Sequence, residues 1–181
     1  MTKPTVITVT GVPGTGTTTI VNLLSKKTGL CLINTGEIFR ELAKEYNMDL
    51  SKFSNYTKSN PKIDLELDTR QLKFARKGNV ILEGRLSGWL MKNNNINAFK
   101  VLLTADLETR VKRIMGREEK TYDTVKFEII EREECEQDRY LKIYDVNYEE
   151  RSHYDLIIDT SDLTPEKIVQ KIVDGFSIFE D

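Results

Sequence analysis

With 181 residues, 39% of them hydrophobic and 31% charged, the chain is long enough for one domain with a substantial core. A formal net charge of -2 gives no general attraction to nucleic acid or to an anionic membrane, so any phosphate binding must be local. No apolar run approaches the length of a membrane span, no apolar leader precedes Pro4, and Cys31 and Cys135 lack metal-type spacing. The expectation is a cytoplasmic monomer with reduced thiols, a single domain over 1–181, binding neither membrane nor nucleic acid.

Residues 5–10 (TVITVT) are β-branched and end at a Gly/Pro turn, which predicts a buried strand. Residues 16–27 carry Ile20, Val21, Leu23 and Leu24 on a helical stripe that stops before Gly29. A second strand is expected at 30–33, after which Thr35 caps a helix running to Tyr46 with Ile38, Leu42 and Ala43 inward. Residues 51–59 and 61–77 read as two further helices, the second ended by Gly78. Strands three and four fall at 79–82 and 98–103, with the asparagine-rich 93–97 between them as a turn. Two highly charged helices follow at 106–119 and 123–147, then a fifth strand at 154–158. Thr164-Pro165-Glu166 opens a last helix whose inward face is Ile168, Val169, Ile172, Val173 and Phe176. This alternation predicts an α/β fold, a five-stranded parallel sheet with helices on both faces. The charged helical pair before the fifth strand is the insertion able to move as a lid.

Between the first strand and the first helix lie Gly11, Val12, Pro13, Gly14, Thr15, Gly16, Thr17, Thr18 and Thr19. Gly11, Gly16 and Thr18 fall where a P-loop, G-x-x-x-x-G-K-[S/T], places its glycines and its Mg²⁺-binding hydroxyl. Glycines let successive N–H groups curl around an anion, and the helix N-terminus adds its dipole. Thr17 departs from the pattern, standing where lysine belongs. A charge pair at ~4 Å is worth roughly 4 kcal/mol at an effective dielectric near 20, before desolvation is subtracted. An active phosphotransferase therefore needs another cation near the β/γ phosphates. The alternative is a Gly/Thr-rich turn without a ligand.

On the acceptor side, Arg40 lies one helical turn beyond Thr35-Gly36 and either forks onto a substrate phosphate or pairs with Glu37 or Glu41. Glu83 ends a buried strand, where acids hold Mg²⁺ directly or through water, and Arg85 is a second phosphate clamp. Arg110, Arg113 and Arg117 stand at i, i+3 and i+7, and Arg132 and Arg139 are seven apart on the next helix. A helical hairpin bearing them could fold over a triphosphate, which makes Arg113, Arg117, Arg132 and Arg139 the catalytic candidates. Ordinary i, i+4 surface pairs such as Arg132–Glu136 are the competing explanation. His153, the only histidine, is read as structural.

The chain resembles the archaeal-type (type 2) cytidylate kinases of the nucleoside-monophosphate kinase superfamily. The likeness spans GVPGTGTTT at 11–19, TGEIFRELAKE at 35–45, PKIDLELDTRQ at 61–71 and NVILEGRLSGWL at 79–90. It continues through ERE at 131–133, RY at 139–140 and YDLIIDTS at 154–161. Threonine in place of the P-loop lysine is usual in that family, and Gln137 stands where a further lid arginine is expected. The resemblance implies a P-loop NMP-kinase fold with a monophosphate-binding insert at about 35–77 and a lid at about 110–140. It implies the reaction of ATP with CMP or dCMP to give ADP and CDP or dCDP, with Mg²⁺. By resemblance the loop 11–19 holds ATP, and Thr18 with Glu83 serves the metal. Thr35, Arg40 and Arg85 serve the acceptor, Asp64 accepts from the cytosine amino group, and Arg132 and Arg139 act from the lid. Two alternatives stay open: another small P-loop kinase, adenylate- or shikimate-type, and a nucleotide-binding regulatory protein without catalysis.

Overall fold

The computed structural model describes residues 5–147 and 150–180, so the expected strand entry at Pro4 lies outside the described residues. Its elements are β1 (Val6–Gly11), α1 (Thr17–Thr28), β2 (Cys31–Asn34), α2 (Thr35–Glu45), α3 (Leu50–Lys58), α4 (Lys62–Lys77) and β3 (Val80–Glu83). They continue with α5 (Ser87–Asn93), β4 (Phe99–Thr104), α6 (Leu107–Met115), α7 (Tyr122–Tyr144), β5 (Leu156–Asp159) and α8 (Pro165–Glu180). The five strands form one parallel sheet in the order β2-β3-β1-β4-β5. β1 is central and buried along its whole length, as its unbroken β-branched run requires.

Alternation along β1 divides the core. Ile7 and Val9 face α1 and α8, packing with Ile20, Val21 and Leu24 and with Ile168, Val169 and Ile172. Val6 faces the other way, towards Ala75 of α4 and Leu90 and Met91 of α5. A third cluster, Ile38, Leu42, Phe53 and Ile63, joins α2, α3 and α4 into a unit beside the sheet. Val111 of α6 closes on Val125 and Ile129 of α7. Among the described residues no helix is long and apolar enough to cross a membrane.

Helix α5 is absent from the sequence reading. Ser87 and Gly88 are poor helix formers, and the segment is only seven residues long, so local propensity is silent. Tertiary packing decides: a Cβ on Gly88 would lie 2.8 Å from the Tyr154 ring, so glycine lets the helix settle against the chain entering β5. The cap of α2 also differs from expectation. Asn34, not Thr35, accepts from the Glu37 amide, because parallel pairing of Asn34 with Glu83 leaves the Thr35 hydroxyl bonded to the Glu83 carbonyl, 2.7 Å away. α6 stops at Met115, so Arg117 falls outside the helical face it was expected to share with Arg110 and Arg113.

Candidate active site

The carboxyl ends of β1, β2 and β3 open into one cleft of about 1900 Å³, the position at which open parallel sheets receive ligands. The loop after β1 forms its floor. Gly14 and Gly16 take positive φ of 86° and 91°, conformations open to glycine at little cost. A Cβ on Gly14 would also lie 2.9 Å from the Arg110 backbone, so glycine is what lets α6 press on the loop. Thr15 locks the turn: its hydroxyl donates to the Val12 carbonyl at 2.8 Å and its amide donates to the same oxygen. Gly16 is the N-cap of α1, so the helix presents its first amides to whatever the loop encloses. Val12, Pro13, Thr17, Thr18 and Thr19 also line the cleft. Leu163, Pro165 and Ile168 add an apolar wall from the start of α8.

Glu83 joins the loop to the acceptor side. The Thr18 hydroxyl donates to its Oε1 at 3.0 Å, and the Asn34 amide donates to its Oε2. A hydroxyl and a carboxylate already in contact at the mouth of a phosphate loop are the donor set Mg²⁺ uses when it takes one or two protein oxygens and completes its shell with water and substrate phosphates. The residues fit that ion.

On the acceptor side, Thr35 is held internally, donating towards Glu83 O and Gln71 Oε1. Arg40 is exposed and lines the cleft, and among the described residues it forms no ion pair with Glu37 or Glu41. Helix α4 turns Asp64, Asp68 and Gln71 into the cleft at i, i+4 and i+7. Asp64 Oδ2 is buried without a hydrogen-bond partner, and Arg139 Nε stands 3.8 Å from Oδ1. Burial raises the Asp64 pKa against the pull of Arg139. Burial pushes Asp68 up to about 6; the Tyr144 hydroxyl, donating at 2.5 Å, opposes the shift and the nearby Asp64 adds to it. Asp68, Gln71 and Tyr144 escaped the sequence reading, although the polar stripe 64-68-71 on a helix was a signal that could have found two of them.

The arginines separate into two groups. Arg110 and Arg113 stand behind the loop: Arg110 donates to the Pro13 carbonyl and to Glu133, and Arg113 donates to Gly14 and to both oxygens of Thr160. Arg85, Arg132 and Arg139 converge across the cleft from the turn after β3 and from one face of α7. Arg85 Nη1 donates to the Gly11 carbonyl and its Nε to Glu136 at 2.8 Å, while Arg132 Nε reaches the other Glu136 oxygen at 2.9 Å. Burial alone would raise the Glu136 pKa, but Arg85 first and Arg132 second outweigh it and hold the carboxyl below its usual range. The sequence reading saw Glu136 only as a surface partner of Arg132. Arg117 lines the cleft and is exposed. Gln137 is half-buried and is not among the described residues that line it, whereas Arg132, Cys135, Glu136, Asp138 and Arg139 of the same helix are. His153 is buried beside the Tyr154 ring, away from the cleft, as a structural residue would be.

The profile of the cytidylate kinase-like family matches residues 6–162, a stretch that runs from the start of β1 past the end of β5 and includes loop, acceptor helices and α7. The chain belongs to the cytidylate kinase-like family. Among its relatives is a cytidylate kinase of Methanococcus vannielii, 46% identical over 86% of this chain and 90% of its own length. Another is the cytidylate kinase of Methanocaldococcus jannaschii, at 45% over 86% and 88%. That of Methanococcus maripaludis strain C5 is 42% identical over 94% and 98%. Solved structures similar to this member of the family include the shikimate kinase of Bacteroides thetaiotaomicron, with TM-score 0.67, 16% identity and coverage of 97% and 99%. A gluconokinase of Sinorhizobium meliloti follows with TM-score 0.62, 12% identity and coverage of 98% and 94%. At those identities the likeness is one of fold.

Proposed function

We propose that this family member is a cytidylate kinase, moving the γ-phosphoryl group of ATP onto CMP or dCMP and releasing ADP with CDP or dCDP. The observation that carries the reading is a single cleft with a phosphate loop at one end and, at the other, the Arg40 guanidinium with the buried Asp64 and Asp68 carboxylates. An acceptor oxygen attacks the γ-phosphorus as the bond to ADP breaks, so the protein needs no covalent intermediate and works by positioning and charge neutralisation. The loop amides and the N-terminus of α1 hold the donor phosphates, and the wall of Leu163, Pro165 and Ile168 suits the flat face of adenine. Mg²⁺ would be held by Thr18 and Glu83 and would supply charge neutralisation between the phosphates. Arg40 and Arg85 clamp the acceptor phosphate, and Arg132 and Arg139, with Arg117, neutralise charge spreading over the transferred group, while Arg113, engaged with Gly14 and Thr160, holds the loop in place rather than acting on that group. The Asp64 carboxylate accepts from the cytosine amino group. Thr35 acts through backbone position, since its hydroxyl is engaged. The insert is 35–77 and the lid 110–140, and closure of the lid excludes water that would otherwise consume ATP. The enzyme works as a cytoplasmic monomer on small molecules, with neither nucleic acid nor membrane as partner.

A coupled ADP-release assay with ATP and Mg²⁺ tests the proposal, with CMP, dCMP, UMP, AMP, GMP and shikimate offered separately. Turnover with CMP and dCMP well above the rest is expected. Preference for AMP or shikimate would overturn the acceptor, and failure with all six would overturn the activity.

A further inference from the structure

Thr17 leaves the phosphate loop without the lysine that reaches the β/γ phosphates in other P-loops. The surrounding cations differ in what they can reach. Arg110 and Arg113 are spent on the Pro13 and Gly14 carbonyls behind the loop and are anchored by Glu133 and Thr160. Arg40 sits on the acceptor helix beside Gly36, its Nη1 3.8 Å from where a Gly36 Cβ would be. Arg132 has 61% of its side chain exposed and leans on Glu136. Arg85 also gives one nitrogen, Nη1, to a loop carbonyl, that of Gly11, but unlike Arg110 it lines the cleft, and unlike Arg113 it keeps its Nη2 without a hydrogen bond among the described residues.

Gly11 is also where Thr17 packs. A Cβ on Gly11 would lie 2.7 Å from Thr17 Cγ2, so the Thr17 side chain and the Arg85 guanidinium converge on one residue from two directions. The Arg85 side chain is only 19% exposed, so its charge acts through a medium less screening than water. Its direction is fixed at the far side, where Glu136 takes Nε at 2.8 Å and leaves the Nη edge for the loop. Glu136 is itself held on its other oxygen by Arg132.

We propose that Arg85 supplies to the β/γ phosphates of ATP the positive charge that a lysine at position 17 supplies in other P-loops, with Glu136 orienting it. This rests on the kinase reading above and adds a donor-side role to the acceptor-side one expected of Arg85.

The assignment is tested by titrating the non-hydrolysable β,γ-imido analogue of ATP, with Mg²⁺ and without CMP, into wild type, Arg85→Met, Arg85→Lys and the double variant Arg85→Met/Thr17→Lys. Arg85→Met should bind the analogue roughly 10- to 100-fold more weakly, the range of a lost charged hydrogen bond. Arg85→Lys should lose far less, and adding Thr17→Lys to Arg85→Met should recover most of the affinity while Thr17→Lys in wild type gains nothing. Unchanged analogue affinity in Arg85→Met, with the defect confined to KM for CMP, would overturn the donor role and leave Arg85 an acceptor clamp. So would a double variant no better than Arg85→Met when both melt like wild type. If wild type binds the analogue but phosphorylates no monophosphate, the kinase reading fails while the donor role is still decided by these titrations.

Discussion

Asp68 is buried one helical turn from Asp64, and the Tyr144 hydroxyl at 2.5 Å offsets only part of the cost of stripping water from its carboxylate. The folded protein therefore keeps its proton up to about pH 6, whereas an unfolded chain releases it near 3.8. Between those values the native state binds more protons, so stability falls as pH rises through that window and the cost is complete above it. Two units correspond to about 3 kcal/mol as an upper bound. Asp68→Asn, which keeps an acceptor for Tyr144, should be more stable than wild type at about pH 8, with the gap closing towards pH 4. Urea unfolding of both proteins across that range checks it, and a gap that does not narrow in acid would show that Asp68 is ionised throughout. A carboxylate held at such a cost is a candidate for a part in the chemistry of the cleft that it lines.

Helix α7 does its work through one face. Arg132, Glu136 and Arg139, at i, i+4 and i+7, line the cleft, while Gln137 is not among the residues that do. On the proposed lid role, Arg132→Ala should lower kcat by roughly 10²-fold or more while CMP binding changes little, because that role puts its charge on the phosphoryl group as it transfers. Gln137→Arg should leave kcat within about twofold, since Gln137 is not among the residues that line the cleft. Steady-state kinetics on the two variants separate a reacting face from a general effect of positive charge on the lid; equal effects would refute the first. Helix α4 is organised alike, with Asp64, Asp68 and Gln71 inward and Ile63 and Ala75 in apolar clusters. Gln71 spends its Oε1 on Thr35 and Ser87, tying the acceptor helix to the turn beyond β3.

Across the whole molecule, the sheet carries stability on its faces and chemistry at its carboxyl edge. Ile172 is fully buried between α8 and the sheet, one turn beyond Ile168, which reaches the cleft. Ile172→Ala should cost about 2–5 kcal/mol of unfolding free energy and leave KM for ATP within about twofold. Denaturant titration with parallel kinetics checks it, and a large rise in KM would mean that core and cleft are coupled. Free cysteines at Cys31 and Cys135 are exposed and form no crosslink, so stability at this scale rests on packing.

The sequence by itself determined the strands, the parallel α/β architecture and the glycine-rich loop, because β-branched runs, glycine punctuation and loop spacing are local properties of the chain; the family came from the resemblance of whole motifs, not from those patterns. It also placed Glu83, Arg40 and Arg85 at strand or helix ends facing one edge. What only the tertiary structure decided are the contacts between residues far apart in the chain. Helix α5 depends on burial rather than propensity, and Asn34 takes the α2 cap because β2 lies beside β3. The Asp68–Tyr144 bond joins residues 76 apart, and Arg85 meets Gly11 across 74. A local pattern gives the kind of charge and its place on a helix. Which partner takes it follows from strand order and helix packing, and these bring the cation of one segment to the loop of another.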